Sequence, residues 1–548
     1  MISPRLRTIF WAMSLTTVIA RQILFDSSDD SSSRWTTFPH AITRVAVVGA
    51  GPAGLQAAAH LRAANLTVRL FERAPSPGGN WFYTEDTPTR EGYPNGTAEK
   101  DEKVPKTLPA RIFYEEGEDG IRLDDRWTEH WQPRPVWYDL HTNTPTTMTE
   151  LPGVKYSPNT PWSVSVHDVQ RHVRAYASLH GLNSNDPPIP PSSTPIASYS
   201  TRVESIKKCN HTSTWTLTMR RIERLQEPKR VRVDFWTEEF DAVVVSTGRY
   251  TTPYVPAIEG IGNWSKAVEH GMYSMYHSQS FRHPERYSGK TVLIVGASIS
   301  ATEIARAIVP FTDRLIASVR SNSVAQGRGL DILLSFPEKT EIVPEILSFE
   351  PLKGDDAGIR AGIIHLLNGT TLTGIDEIIL ATGYRSNTFL PDLVNPRTLS
   401  NLHWTGHYID DPTLAYTSLG RPWTHGRYQS YGLAKVWTGT ARLPNQKQMW
   451  QDYQARKYQF GIPLDVFPQE AQIRQFVAWL NAEALEFGGQ FVDPLPVETR
   501  ETFAYFVNAH WKQDWLMLEN YTWFDNLPSS EWPKPWGSET EQVKDVLW

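Results

Sequence analysis

The six residues Gly49-Ala50-Gly51-Pro52-Ala53-Gly54 constrain this 548-residue chain more than any other segment. They stand between an apolar run, Val45-Ala46-Val47-Val48, and an alanine-rich stretch that continues through Ala64. Strand, glycine turn and helix in that order make a βα dinucleotide-binding unit, and the GxGxxG spacing gives each glycine a task. Gly49 permits the tight turn, Gly51 lets backbone approach a pyrophosphate, and Gly54 packs the helix against the strand, with Pro52 and Ala53 completing the bend. The unpaired N–H groups and positive dipole end of the helix then face the phosphates. A second strand is expected over Thr67–Phe71, ending at Glu72. Counting 72 − 49 gives 23 residues, which places a carboxylate where it accepts hydrogen bonds from an adenosine ribose.

The plan returns further along. Thr291–Val295 is a strand run leading into Gly296-Ala297-Ser298-Ile299-Ser300-Ala301 and a helix through Ile308. Ser298 and Ala301 replace the second and third glycines, and with Ser300 they keep the turn lined by small side chains that let a phosphate approach. Arg320 follows Gly296 by 320 − 296 = 24 residues, where an acid would suit NAD and a cation suits the 2′-phosphate of NADP. Two further apolar strand runs close on Thr247-Gly248 and on Thr382-Gly383, separated by 383 − 248 = 135 residues. Strand ends of that kind on either side of the second glycine turn predict an α/β chain with two Rossmann-like dinucleotide-binding domains, the second inserted in the first. The expected division is 43–248 and 381–445 for the outer domain, 249–380 for the inserted one, and 446–548 for a helical, tryptophan-rich C-terminal region.

Composition removes several rivals. Lys and Arg total 54 and Asp and Glu total 60, so 54 − 60 leaves a net charge of −6 with neutral histidine. That balance lacks the basic excess with which proteins neutralise nucleic-acid phosphates, so no nucleic-acid partner is expected. Cys209 is the only cysteine, which excludes an intramolecular disulfide, a CxxC redox pair and a cysteine-rich zinc site. HExxH, GxSxG and P-loop patterns are absent too, and no metal is expected.

The N-terminus carries its own address. Arg5 and Arg7 precede an apolar run from Ile9 to Ala20 that has the form of a secretory signal peptide cleaved after Ala20, with an uncleaved anchor as the alternative. A polar linker, Asp26–Ser33, follows within residues 21–42. Sequons at Asn65, Asn95, Asn210, Asn263, Asn368 and Asn520 fit an expectation of the secretory pathway, secreted or in the ER lumen. No later window is long and apolar enough for an internal membrane span.

Three more segments carry a family likeness: Gly78-Gly79-Asn80-Trp81, the run from Tyr138-Asp139-Leu140 through Thr142-Asn143 and Pro145 to Met148, and His277-Ser278-Gln279-Ser280-Phe281-Arg282. With them the chain resembles the flavin-containing monooxygenases over about residues 43–445. In that family a GGxW segment follows the FAD fingerprint and a YxxLxTNxPxxxM segment sets an asparagine over the flavin's reactive edge. An FxG-to-His fingerprint with a later aromatic precedes the NADPH domain. This chain lacks one residue of the YxxL spacer and the first half of the last fingerprint, where Trp264 is the nearest stand-in for the phenylalanine.

The resemblance implies FAD in the first site and NADPH in the second, making the outer domain the FAD domain. FAD-site residues would be Gly49, Gly51, Pro52, Ala53, Gly54, Glu72, Gly79, Trp81, Thr142, Asn143 and, by its Tyr-Gln-Ser setting, Gln429. Gly296, Ser298, Ser300, Ala301 and Arg320 would serve NADPH, while Thr247, Gly248, Thr382 and Gly383 would connect the two domains beside the nucleotides. Asn143 would carry the catalytic role, hydrogen-bonding the flavin or its oxygen adduct or orienting the nicotinamide. The implied reaction consumes NADPH and O2 and inserts one oxygen atom into a small organic substrate through a flavin C4a-hydroperoxide, by N- or S-oxygenation or hydroxylation in specialised metabolism. Such chemistry needs no side-chain nucleophile and no metal. The alternatives are a Baeyer–Villiger monooxygenase and an NADPH oxidase that releases hydrogen peroxide.

Two segments fall outside these motifs. Residues 84–133, with Glu115-Glu116-Gly117-Glu118-Asp119, are acidic and are expected to form an irregular surface insertion. Helical periodicity resumes after Pro444 through Ala484, and the tail from His510 to Trp548 is rich in tryptophan without pointing to a function.

Overall fold

The computed structural model describes residues 34–499 apart from 89–103, 185–194, 210, 227–228, 249, 270–271, 321–335, 353–357, 386–400, 405, 418–422, 461–468 and 498. The leader expected over residues 1–20, the linker through Ser33, the tail from His510 and the sequons at Asn95, Asn210 and Asn520 lie outside the described residues.

The chain enters its first sheet through β1 (Arg44–Val48), turns into α1 (Pro52–Ala63) and returns as β2 (Thr67–Phe71). β1 and β2 are parallel, with Arg44 opposite Thr67 and Val48 opposite Phe71. Val45, Ala46 and Val47 are fully buried, as a strand covered on both faces requires.

The irregular insertion expected over residues 84–133 is corrected by the structure. β3 (Ala110–Tyr114) is a regular strand, and α2 (Leu123–Trp131) buries Leu123, Arg126, His130 and Trp131. Acidic composition hid this order, because Glu115, Glu116, Glu118 and Asp119 occupy the exposed turn between strand and helix. On the inner side Glu129 is held by Arg202 at 2.9 Å and Arg220 at 3.0 Å.

α3 (Val166–Leu179) starts at Ser165, whose hydroxyl caps the helix by accepting from the Asp168 N–H at 3.2 Å. An antiparallel meander follows: β4 (Thr201–Cys209), β5 (Thr214–Leu225) and β6 (Arg230–Phe240), with β3 added to its edge in the order β3-β6-β5-β4. β7 (Ala242–Val245) then rejoins the first sheet, parallel to β1.

The second sheet is wholly parallel. β8 (Met275–His277), β9 (Thr291–Val295), β10 (Arg314–Ser318), β11 (Thr340–Val343) and β12 (Glu377–Leu380) stand in the order β8-β12-β9-β10-β11, and α4 (Ile299–Ile308) connects β9 to β10. Afterwards the chain returns to the first sheet with β13 (Leu414–Tyr416), parallel to β7. α5 (Thr424–Trp437) packs along α1, where Gly426 leaves no room for a side chain, since a Cβ there would sit 2.9 Å from Ala53 Cβ. α6 (Gln446–Phe460) and α7 (Gln469–Phe487) complete the described chain. Two parallel-strand sheets with flanking helices bear out the α/β architecture, and α6 and α7 the helical C-terminal region. Among the described residues no helix is long and apolar enough to cross a membrane, and no cluster of metal-ligating side chains forms.

Burial holds several histidines neutral: His60, His172 and His277 are pushed down to about 4, His407 to about 3, and His130 well below its usual value. Each binds a proton in the unfolded chain below about pH 6.5 but not in the folded one, so stability is full above that pH and falls as pH drops toward the folded values. The thermal midpoint should therefore fall between about pH 7 and about pH 5, and an unchanged midpoint would contradict the neutral histidines.

Candidate active site

The two glycine turns are built alike. Gly49 has φ +108°, and a Cβ on it would lie 2.5 Å from the carbonyl oxygen of Ser246; Gly296 has φ +124°, and a Cβ on it would lie 2.4 Å from that of Ala381. Each turn N–H reaches back to the neighbouring strand, Gly49 to Phe71 O at 2.8 Å and Gly296 to Ser318 O at 3.0 Å. Ser246 and Ala381 are the residues immediately before Thr247-Gly248 and Thr382-Gly383. The small-Thr-Gly strand end and the glycine turn thus form one device, used once in each sheet.

Both helices begin open. Gly51 and Ser298 are the capping positions of α1 and α4, neither supplies a side-chain cap, and neither first turn holds an acid, so the N–H groups stay available to an anion. At the first turn the second glycine pair comes back against the first: Gly78 N donates to Ala50 O at 3.0 Å, and a Cβ on Gly79 would meet Gly51 Cα at 2.8 Å. Pro52 opens α1, and Ala53 and Gly54 are buried in its first turn. Trp81 is half-buried, with its ring centre 6.2 Å from that of Trp423. At the second turn Ser298 is exposed, Ser300 half-buried and Ala301 buried, and Arg320 is exposed two residues past β10, at the strand end beside Gly296.

Glu72 is more committed than its sequence position suggested. It is buried, and its carboxylate accepts from Ala50 N at 2.7 Å, Ala74 N at 2.8 Å and Arg134 Nη2 at 3.0 Å. A carboxylate has about four acceptor positions, so one is left for a ribose hydroxyl. Arg134, nearly as buried as Glu72, carried no motif and could not be picked from the sequence.

Thr142 fixes the segment that holds Asn143. It is buried; its N–H donates to Val164 O at 2.9 Å, its hydroxyl accepts from Val164 N at 3.2 Å, and its carbonyl accepts from Ser163 Oγ at 2.8 Å. Asn143 follows in a half-buried bend, its amide without a protein partner among the described residues. Gln429 is buried within α5, its Cγ 3.8 Å from where a Cβ on Gly406 would lie.

Where the chain crosses between the sheets, Thr252–Pro253 and Tyr384–Arg385 pair antiparallel. Thr247 is exposed and Gly248 has φ +69°, while Thr382 Oγ1 donates to Tyr254 O. Gly383 O accepts from Tyr254 N at 2.8 Å and from His277 Nε2 at 2.9 Å. His277 Nδ1 accepts from Gln279 N at 3.2 Å, which leaves the single ring proton on Nε2. The fingerprint histidine therefore ties the second strand end to the start of β8's following turn. Trp264 is fully buried, its ring tilted against that of Phe349 at 5.0 Å, in the same core cluster as Met275 of β8 and Leu380 of β12.

Arg282 is the other joint residue that sequence reasoning passed over. Buried, it donates to the carbonyls of Phe281 at 2.7 Å, Gln279 at 3.0 Å, Thr84 at 3.1 Å, Arg134 at 3.3 Å and Asp86 at 2.5 Å. Burial lowers its pKa to about 10, so it remains a cation at neutral pH, bound only to backbone dipoles in these contacts. Three separate segments are fixed around that one guanidinium.

Comparison with known proteins decides the family. The model described as pyridine nucleotide-disulphide oxidoreductase matches residues 43–321. The flavin-containing monooxygenase iboF of Amanita muscaria is 35% identical over 501 residues, which is 83% of this chain and 91% of that protein. The chain belongs to the flavin-containing monooxygenases. Senecionine N-oxygenase of Tyria jacobaeae is 22% identical, covering 81% of this chain and 82% of its own. The structure of S-allyl-L-cysteine S-oxygenase from Allium sativum has the same fold, with a TM-score of 0.58 at 20% identity over 88% of this chain and 99% of that one.

This flavin-containing monooxygenase is an FAD-dependent, NADPH-using enzyme, and its residues suit both cofactors: two cradles that a Cβ would fill, each under an uncapped helix N-terminus. With Cys209 its sole cysteine, the dithiol chemistry in the matched model's description has no counterpart within the chain.

Proposed function

We propose that this enzyme oxygenates a soft nitrogen or sulfur centre of a small organic molecule, with FAD held at the first glycine turn and NADPH at the second. The observation that carries the assignment is the asymmetry between two otherwise matching turns: the first has a second glycine pair and a buried carboxylate against it, the second has Ser298 and Arg320. The names of the relatives, N-oxygenase and S-oxygenase, favour these atoms over a ketone. On this reading 43–248 and 381–445 act as the FAD domain and 249–380 as the NADPH domain.

Bound FAD supplies a carrier that takes two electrons from NADPH and activates O2. The chain's own contribution is placement. Gly51, Gly79 and the N-terminus of α1 receive the FAD pyrophosphate, and Glu72 offers its remaining acceptor position to the ribose. Ser298, Ser300 and the N-terminus of α4 receive the NADPH pyrophosphate, with Arg320 placed for the 2′-phosphate. Thr142 keeps Asn143 in one position, so that the amide presents a donor and an acceptor without reorganising.

Replacing Asn143 with alanine should leave bound flavin unchanged and lower oxygenated product per NADPH about tenfold or more, with hydrogen peroxide accounting for the difference. Unchanged coupling would remove Asn143 from the site. To test the reaction class, amines, thioethers and ketones are offered as substrates with NADPH. N-oxides, hydroxylamines or sulfoxides are expected, and exclusively ester or lactone products would overturn the proposal in favour of Baeyer–Villiger chemistry.

We also propose that residues 1–20 direct the chain into the secretory pathway and that its sequons are used there. Asn65, Asn263 and Asn368 are exposed, which suits modification. Treatment of the protein from its native source with an N-glycosidase should lower its mass; an unchanged mass would contradict use of the sequons.

A further inference from the structure

We propose that the junction of α1, α3 and α5, at the end of α1 away from its glycine turn, binds a small oxyanion of the phosphate or carboxylate type. Four side chains converge there: His60 from α1, Tyr176 and His180 from α3, and Arg427 from α5. The ring of His60 lies 4.1 Å from that of Tyr431, the rings of Tyr176 and His180 are 4.5 Å apart, and the Arg427 guanidinium stands 6.0 Å over Tyr431. His60 Nε2, Tyr176 Oη, His180 Nε2 and Arg427 Nε are all shut off from solvent, and none has a hydrogen-bond partner among the described residues. Tyr176 is fully buried, so its hydroxyl makes no contact with bulk water. Buried polar groups are normally satisfied, and four unsatisfied ones together ask for a ligand with several lone pairs.

Charge sets the sign of that ligand. Arginine has five donors and no acceptor and keeps its charge at any working pH, and no carboxylate among the described residues pairs with Arg427. The C-terminal ends of α1 and α3 carry partial negative charge, but Arg62 already meets it, donating to the carbonyl of His180. His60 and Tyr176 both sense the Arg427 charge, and burial with that charge keeps His60 neutral. A cation with no carboxylate partner among the described residues, a tyrosine donor and two imidazoles that can each donate from Nε2 match an oxyanion. An ammonium group would find mainly donors.

The test uses the full chain loaded with FAD and saturated with NADP, so that both nucleotide sites are filled. Inorganic phosphate and, separately, acetate are titrated by calorimetry at constant ionic strength. One saturable site is expected for at least one of them, lost in Arg427→Gln and weakened about tenfold in Tyr176→Phe, a change that removes only one oxygen atom. Preference for phosphate or for acetate tells an inorganic from an organic source. No saturable binding of either up to about 10 mM, or binding that neither variant alters, would overturn the proposal.

Discussion

Gly49→Ala is expected to produce a protein that retains little or no flavin, whereas Gly296→Ala is expected to produce a yellow protein that NADPH barely reduces. The new methyl at position 49 would stand 2.5 Å from Ser246 O, and at position 296 it would stand 2.4 Å from Ala381 O, closer than any real Cβ contact. Backbone on both sides leaves no flexible side chain to give way. The left-handed region adds roughly 1–2 kcal/mol of strain for a residue with a Cβ. Each turn must move by something near 1 Å, a displacement that costs about a hundredfold where geometry is exacting. Flavin absorbance of the purified variants reads the first effect. Stopped-flow reduction by NADPH, with dithionite as a control that bypasses the second site, reads the other. If Gly296→Ala lost the flavin and Gly49→Ala kept it, the two cofactors would have to exchange sites.

Arg134→Met should unfold at a markedly lower temperature and bind FAD weakly. Arg134 and Glu72 are both buried and 3.0 Å apart, and removing one partner of such a pair leaves an uncompensated charge, typically at a cost of about 3–5 kcal/mol. The Ala50 and Ala74 N–H groups still hold the carboxylate, which favours the lower end of that range. For a domain of this size the loss corresponds to a fall of roughly 6–12 °C in the midpoint. Flavin binding suffers because Glu72 fixes the amide of Ala50 inside the glycine turn. Adding Glu72→Gln to Arg134→Met should recover part of the stability, since the orphaned charge is then gone, and the double-mutant cycle measures the coupling. A stable, flavin-replete Arg134→Met protein would show that the pair does not hold the turn.

Much of this arrangement could be read from local sequence because the constraints are local. Gly49 and Gly296 follow apolar strands that bury nearly every side chain, and the small-Thr-Gly strand ends mark where the neighbouring strand closes against each turn. The 135-residue repeat of that strand end announced one sheet interrupted by another. What escaped was long-range polar pairing. Arg134 meets Glu72 across 62 residues and Arg282 meets Thr84 across 198, and neither arginine differs in sequence from a solvated one. The helix at Leu123–Trp131 was obscured for a related reason: the exposed acids of the turn before it dominate the composition, while the apolar positions that fold it are few. The Gln429 likeness rested on its Tyr-Gln-Ser setting and gave no information about its burial within α5.

This enzyme is expected to use FAD and NADPH to move one atom of O2 onto a small nucleophilic molecule. Turnover of an amine or thioether under dioxygen labelled with the heavy isotope, followed by mass spectrometry and NADPH counting, separates oxygen transfer from peroxide release. One labelled oxygen atom in the product is expected for each NADPH consumed. Stoichiometric hydrogen peroxide with no labelled product from any substrate offered would contradict it and leave an NADPH oxidase.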